Sequence, residues 1–174
     1  SHNAEVATPG YYSVMLSDYG VKAEMTSAVR SGMLRFTYPK SSDAFVLVDM
    51  NHTLWQKCVW SNIRVENDST IVGYKLVKGW GPERHIYFRA VFSKPFRQFT
   101  IYQDKKPVIY NTSRFRSNRE AWGPNLLFTA RFNTSEGEQI TVRTAISATS
   151  TNGCIVNMRE LNNRSFEDVH RDAV

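Results

Sequence analysis

The sequence predicts a mostly β domain in which two antiparallel sheets pack as a sandwich, with one or two short helices at the C-terminal end. Aromatic residues make up 13% of the 174 residues, and such side chains suit a pleated, half-buried sheet surface. Short segments alternate apolar and polar residues, as strands with one buried face do. No helical pattern separates these segments, which argues against a βαβ repeat.

About ten short strands are expected, in one domain. The first strand, at 21–29, places Val21, Ala23 and Met25 on one side and charged or polar residues on the other. Turn-forming sequences such as Asp18-Tyr19-Gly20 separate the strands. The other predicted strands are rich in β-branched or aromatic residues and lie at 32–38, 44–50, 70–77, 85–92, 97–102, 107–110, 126–132 and 139–147.

The pattern changes after residue 150. Ile155, Met158 and Leu161 recur at helical spacing, and Ser165 with Asp168 resembles a capping box that opens a further helix. The sequence therefore divides into a β-sandwich over 1–149 and a helical linker over 150–174. Because the last predicted helix is cut off soon after its cap, we expect the natural polypeptide to continue.

Charge and hydropathy exclude some classes of partner. The chain carries 22 basic and 16 acidic residues, but the bases are not gathered on one segment. The densest run, from Arg114 to Arg119, is followed at once by Glu120, and no nucleic-acid-binding motif is present. No run approaches the roughly 18 apolar residues that a membrane helix requires. We expect no nucleic-acid partner and no membrane span.

The two cysteines and four histidines do not form a metal motif. Cys58 and Cys154 are too far apart for a zinc knuckle, and they are either one disulfide or two buried thiols. Buried thiols are favoured because both cysteines lie among apolar residues. The histidines lack metal-ligand spacing, and no nucleophile elbow or phosphate-binding loop occurs.

Paired carboxylates remain possible, because sequence does not show which acids meet in space. The candidates are Glu5, Glu24 and Asp49, although Asp49 closes an apolar strand and could simply bind nearby backbone. Tryptophans could stack on sugars, but in a β domain they are more often core or sheet surface. Trp80 differs because its Gly-Trp-Gly-Pro setting predicts a loop, where binding residues concentrate. The other three are Trp55, Trp60 and Trp122.

Several stretches of the sequence, taken together, match those of one known family. The first reads SHNAEVATPGYYSV at 1–14, and AEMT at 23–26 follows. The others are RFTYP at 35–39, GW at 79–80, IYF at 86–88, FSKPF at 92–96 and ISA at 146–148. In this order they resemble the N-terminal domain of the calcium-dependent, inverting exo-α-mannosidases, and the resemblance spans nearly the whole chain. The family's Gly-rich start and an upstream Trp-bearing loop are missing, so the resemblance implies a sandwich incomplete at its N-terminus.

In that family a sandwich of the supersandwich kind precedes an (α/α)6 catalytic domain, and the active site lies between the two. The resemblance implies release of terminal mannose from α-mannosides: an acid protonates the leaving oxygen while a base activates water held near calcium. Those acids and the calcium ligands belong to the catalytic domain, so no catalytic residue, metal ligand or cofactor is expected here. His2, Glu5 and Trp80 are candidates for a wall of the sugar site.

The resemblance also implies that the parent is a periplasmic or secreted bacterial enzyme. The expected partners are its own catalytic domain and α-mannoside glycans. Two departures from the family pattern bear on linkage preference and activity: Leu34 stands where a His is common, and Gly153-Cys154 replaces an acidic residue and Ala. The alternatives are an autonomous carbohydrate-binding or lectin-like module, suggested by the Trp80 loop, and an adhesion or structural sandwich without a sugar role.

Overall fold

A computed structural model describes residues 4–114 and 117–174, within which thirteen strands and two α-helices form. The strands are β1 Glu5–Thr8, β2 Tyr11–Leu16, β3 Val21–Ser27, β4 Ser31–Tyr38, β5 Ser41–Asp49, β6 Lys57–Asn67, β7 Thr70–Lys78, β8 Arg84–Phe92, β9 Gln98–Gln103, β10 Lys106–Pro107, β11 Glu120–Gly123, β12 Leu126–Thr134 and β13 Glu138–Ser147. The helices are α1 Thr151–Met158 and α2 Phe166–Asp172. In the described part of the chain, no helix has the length and apolar character needed to cross a bilayer.

The strands form two antiparallel sheets, which confirms the predicted fold class. The large sheet has nine strands in the order β1-β2-β3-β4-β13-β8-β7-β6-β11, and the small sheet has four in the order β10-β9-β12-β5. Each strand exposes alternate side chains on opposite faces, so each sheet turns one apolar face inward. The core between the sheets includes the fully buried Phe128, Phe132, Ile63, Ile71, Ile101, Leu126 and Ile140.

The small sheet is narrower than the large one and ends at β5. An apolar cleft of 420 Å³ opens along this edge, between β5 and the inward faces of β3 and β4. Leu16, Val21, Phe36 and Phe45 are among its lining residues. Its acidic side chain, Asp43, contacts Arg131 in an ion pair. Among the described residues, the cleft therefore lacks the paired carboxylates that glycoside hydrolysis needs.

Strand prediction succeeds where alternation is regular and fails where it is interrupted. β6, at 11 residues, was not predicted, because Ser61 and Asn62 break the apolar pattern and a bulge between Cys58 and Trp60 shifts its period. β1, β2 and β11 were also not predicted. The predicted strand at 107–110 is wrong beyond its first residue, since β10 ends at Pro107.

Both cysteines are free thiols, so no disulfide links them. Cys154 on α1 is fully buried, and this burial raises the pKa of its thiol. Cys58 is only half-buried; it pairs with Val77 on β7, and its Sγ lies 3.7 Å from the Trp60 carbonyl oxygen.

Gly73 on β7 allows close packing that a larger residue would prevent. A Cβ at this position would lie 2.2 Å from the Asn62 carbonyl oxygen and 2.4 Å from Cε1 of Phe88. We expect Gly73→Ala to lower the free energy of unfolding by about 2 kcal/mol, measured by urea denaturation. Gly81→Ala is the matched control, because only the flexible Arg84 side chain lies near that Cβ. Equal effects of the two substitutions would contradict this account.

Candidate interdomain site

The outer face of the large sheet, which points away from the small sheet, carries both helices. Met33 on β4 is 1% exposed and packs against Leu161, Phe166 and Val169 from the C-terminal segment. The next residue along β4, Leu34, turns to the core between the sheets. β4 is therefore covered on both faces, and the helical segment forms a third layer.

Each helix begins at a cap formed by its own sequence. The Ser165 hydroxyl accepts the Asp168 backbone N–H at 3.1 Å, and the Asp168 carboxylate accepts the Ser165 backbone N–H at 3.0 Å. This confirms the predicted capping box, and the hydrogen bonds lower the pKa of Asp168 to about 2. At α1, the Ser150 hydroxyl accepts the Gly153 N–H at 3.0 Å.

A buried ion pair lies on β3 and β4 beneath α2. Arg35 donates to both carboxylate oxygens of Glu24, from Nε at 2.9 Å and from Nη2 at 3.1 Å. The Tyr11 hydroxyl at 2.8 Å and Lys22 Nζ at 3.1 Å donate to the same carboxylate. Glu24 is only 4% exposed. Its burial is compensated because both oxygens accept charge-assisted hydrogen bonds.

These contacts lower the pKa of Glu24 to about 2, chiefly through the hydrogen bonds from Arg35. The carboxylate is therefore ionised at neutral pH and has no proton to donate as a general acid. Glu24 was one of the candidate acids for paired-carboxylate chemistry. The structure gives it instead the geometry of a fixed anion that orders β2, β3 and β4.

The Glu24 pKa predicts a loss of stability in acid. A carboxylate with a folded-state pKa near 2 and an unfolded-state pKa near 4.5 contributes stability above about pH 4.5, and this contribution is lost as the pH falls towards 2. We expect Glu24→Gln to flatten this part of the pH dependence of the unfolding free energy, measured by urea titration at several pH values. An unchanged acid dependence in the variant would show that other carboxylates dominate.

Arg35 also reaches α2. Its guanidinium lies 4.1 Å from the centroid of the Phe166 ring and forms an ion pair with Glu167. Beside it, the Tyr11 ring stacks on His170 with the centroids 4.7 Å apart. Arg35 therefore connects the buried carboxylate of the sheet to both a ring and an acid of the helix.

A second set of polar contacts holds the turn between the two helices. The Glu160 carboxylate accepts the Arg30 backbone N–H at 2.9 Å, Arg30 Nε at 3.1 Å and the Ser31 hydroxyl at 2.8 Å. Arg30 lies in the turn between β3 and β4, and Ser31 is the first residue of β4. Polar contacts therefore bind the helical segment to the sheet at two places, at α2 and at the turn that precedes it.

Two glycines permit the close approach of the helices. A Cβ at Gly10, which has φ +72°, would lie 2.6 Å from the Ala173 carbonyl oxygen at the end of α2. A Cβ at Gly153 would lie 2.3 Å from the Ser147 hydroxyl oxygen. Gly153-Cys154 therefore suits tight packing of α1 on the end of β13. The other departure from the family pattern, Leu34, packs against the core between the sheets.

Two of the sequence-predicted wall residues, Glu5 and Trp80, do not lie close together. Glu5 lies on the edge strand β1, while Trp80 lies in the β7–β8 loop and is 97% exposed. Five strands separate β1 from β7, so at about 4.8 Å per strand spacing the two are roughly 29 Å apart across the sheet. His2 lies outside the described residues. A role in sugar binding stays a prediction for all three.

Asp49 binds nearby backbone, which was the alternative to a role as a catalytic acid. Its Oδ1 accepts the Asn51 N–H at 2.7 Å and the His52 N–H at 3.3 Å at the end of β5. Across residues 4–114 and 117–174, no three His, Cys, Asp or Glu side chains are grouped as metal ligands.

None of the four tryptophans lies in the core. Trp55 and Trp80 are almost fully exposed in loops, whereas Trp60 on β6 and Trp122 on β11 lie on the outer face of the large sheet. The sequence patterns did not predict that Tyr74, His85 and Tyr87 lie on the same face as Trp60 and Trp122. A usable signal exists on β8, where His85 and Tyr87 stand at alternate positions.

Most of the chain matches the model of one known family. A family model described as the glycosyl hydrolase family 92 N-terminal domain matches residues 1–147. The chain belongs to glycosyl hydrolase family 92. It corresponds to the N-terminal domain of that family, as the resemblance predicted. No curated protein matches the chain.

Solved structures of glycosyl hydrolase family 92 share the fold. The family α-mannosidase BT3965 from Bacteroides thetaiotaomicron is 63% identical, with a TM-score of 0.95 over 99% of this chain and 23% of that one. The inverting mannosidase BT2199 from Bacteroides thetaiotaomicron VPI-5482 has 22% identity and a TM-score of 0.82 over 99% of this chain and 22% of that one. The chain therefore spans less than a quarter of either relative.

The sandwich also occurs outside the family. A bacterial glucoamylase solved with acarbose has a TM-score of 0.60 and 9% identity, over 98% of this chain and 27% of that one. At this identity the likeness concerns the fold alone.

Proposed function

We propose that this chain is the non-catalytic N-terminal domain of an α-mannosidase that removes terminal α-linked mannose from glycans with inversion. The observation that carries the proposal is the 63% identity with the α-mannosidase BT3965 across 99% of the chain. The chain's own geometry supports a non-catalytic role, because its buried acid Glu24 is fixed as an ion pair with Arg35.

The role of the domain is to brace the catalytic domain of the same polypeptide. The outer face of the large sheet orients α1 and α2 through a small apolar core, the Arg35 contacts and the Glu160 hydrogen bonds. A helical segment fixed in this way defines the direction in which the polypeptide leaves the sandwich. The domain also lines part of the sugar site, with His2, Glu5 and Trp80 as candidate wall residues; the wide separation of Glu5 and Trp80 allows at most one of them near a given sugar.

The chemistry belongs to the rest of the enzyme. An inverting glycosidase uses one carboxylic acid to protonate the leaving oxygen and one carboxylate to activate water. Calcium, when bound, would help to position that water, and its ligands would come from the catalytic domain. We also propose that the complete enzyme is bacterial and is located in the periplasm or outside the cell.

A carbohydrate-binding module is the second candidate, favoured by the nearly complete exposure of Trp80 in its loop. Calorimetric titration of the 174-residue chain with mannosides separates the two. Binding with a dissociation constant of about 1 mM or tighter, corresponding to roughly 4 kcal/mol, would favour the module. No measurable heat is expected if the chain is only one part of an interdomain site.

The hydrolase proposal is tested with the complete polypeptide that carries this domain. We expect it to release the aryl group from an aryl α-mannoside and to form β-mannose first, detected by proton NMR of the anomeric signal. α-Mannose as the first product would contradict inversion. Absence of hydrolysis on a range of α-mannosides, by a folded polypeptide, would overturn the proposed activity.

A further inference from the structure

An aromatic surface on the outer face of the large sheet lies uncovered beside α1. Strand register aligns Trp122 on β11, Asn62 on β6, Tyr74 on β7 and Tyr87 on β8 in one row across four neighbouring strands. The adjacent row contains Trp60 and His85 on either side of Leu76. We call this surface the aromatic platform, formed by Trp60, Tyr74, His85, Tyr87 and Trp122.

Three rings of the platform contact one another. Tyr74 and Tyr87 have centroids 5.2 Å apart, and Tyr74 stacks on His85 at 5.7 Å, with a hydrogen bond of 3.2 Å between the Tyr74 hydroxyl and His85 Nδ1. Trp60 is 44% exposed and Trp122 is 53% exposed. An exposed aromatic patch marks an interaction surface, and Trp and Tyr are enriched among the residues that dominate binding energy at protein interfaces.

α1 extends this exposed apolar surface. The helix packs on β13, β8 and β7 through the buried Cys154, yet the next two residues, Ile155 and Val156, are 45% and 55% exposed. A helix with apolar residues on both its inner and outer sides is typical of a helix enclosed between two layers. The large sheet is one layer, and the other is not among the described residues.

We propose that the catalytic domain of the same polypeptide docks on the aromatic platform and on the outer side of α1. This inference rests on the proposed function, since it names the surface by which the sandwich braces that domain. Continuity argues for this occupant: the face already binds α1 and α2, and α1 lies directly beside the platform. The partner surface is expected to be apolar at its centre, with groups that bond the Tyr and His tips at its rim.

The test compares substitutions on two sides of the molecule. Ile155→Asp and Trp122→Asp alter the proposed interface, and Ile109→Asp is the matched control, because Ile109 is 68% exposed and follows the small sheet's edge strand β10. In the complete polypeptide, we expect the first two to accelerate proteolytic cleavage between the domains by about tenfold or more. Ile109→Asp should leave the cleavage rate unchanged.

The isolated 174-residue chain provides the second readout. There the same substitutions lie on the surface, and each should leave the thermal midpoint within a few degrees of the original. Equal cleavage rates for all three variants of the complete polypeptide would overturn the inference. So would a shift of tryptophan fluorescence on adding mannosides to the isolated chain that Trp122→Asp abolishes, because the platform would then be a glycan site.

Failure of this inference is distinguishable from failure of the proposed function. A complete polypeptide that hydrolyses α-mannosides while its platform variants are cut no faster would refute the docking surface alone. A polypeptide whose domains separate on Ile155→Asp but which hydrolyses no α-mannoside would refute the activity alone.

Discussion

Arg35→Ala is expected to lower the free energy of unfolding by about 3 kcal/mol, because it leaves the Glu24 carboxylate buried without its main partner. Arg35 provides two hydrogen bonds to Glu24, and the Tyr11 hydroxyl with Lys22 does not replace that charge in the same geometry. The substitution also removes the guanidinium from the Phe166 ring. Urea denaturation followed by circular dichroism measures the change.

Two further variants show whether the Glu24 charge is the cause. Adding Glu24→Gln to Arg35→Ala should recover part of the loss, because it removes a buried charge whose remaining ionic partner is the half-exposed Lys22. Arg64→Ala is the control, since Arg64 forms an exposed pair with Glu66 that is worth at most about 1 kcal/mol. If the double variant is no more stable than Arg35→Ala, packing and not the buried charge dominates.

Phe166→Ala is expected to release α2 from the sheet. The ring is 5% exposed and packs with Met33, Leu161 and Val169 beneath the Arg35 guanidinium. Removing a buried Phe side chain costs about 3 kcal/mol or more, which raises the population with α2 undocked by roughly a hundredfold. Amide hydrogen exchange in α2 should accelerate by a similar factor, while exchange in the strands changes less.

Val174→Ala is the matched control for this prediction. It also removes apolar side-chain atoms at the C-terminal end, but Val174 is exposed and adds little to the packing of α2. Exchange in α2 should therefore stay near the original rate. Equal acceleration of exchange in α2 and in the central strand β13 by Phe166→Ala would mean that the helix does not open independently of the sheet.

Local sequence patterns predicted the parts of the fold that depend on local rules. Regular alternation located β3, β4 and β13, and the spacing of Ser165 and Asp168 predicted the start of α2. β6 was not predicted because a bulge and two buried polar residues interrupt its alternation of apolar and polar residues. Ser61 and Asn62 are tolerated there because they bond the backbone of β11, a partner 59 or more residues away.

The candidate site depended on contacts that sequence spacing does not reveal. Glu24 and Arg35 are 11 residues apart, and Arg35 and Glu167 are 132 residues apart. Sequence alone therefore left Glu24 as a possible catalytic acid, whereas the structure shows a fixed ion pair. The resemblance to exo-α-mannosidases, by contrast, correctly identified the family because it depends on long matched segments and not on side-chain proximity.

The most direct test of the central claim, that this domain has no complete active site, is a hydrolysis assay with the purified 174-residue chain. We expect no release of the aryl group from an aryl α-mannoside above the uncatalysed rate, with or without added calcium, while the complete polypeptide under the same conditions turns over. Turnover by the isolated chain that follows its concentration would contradict the claim and require catalytic acids within it.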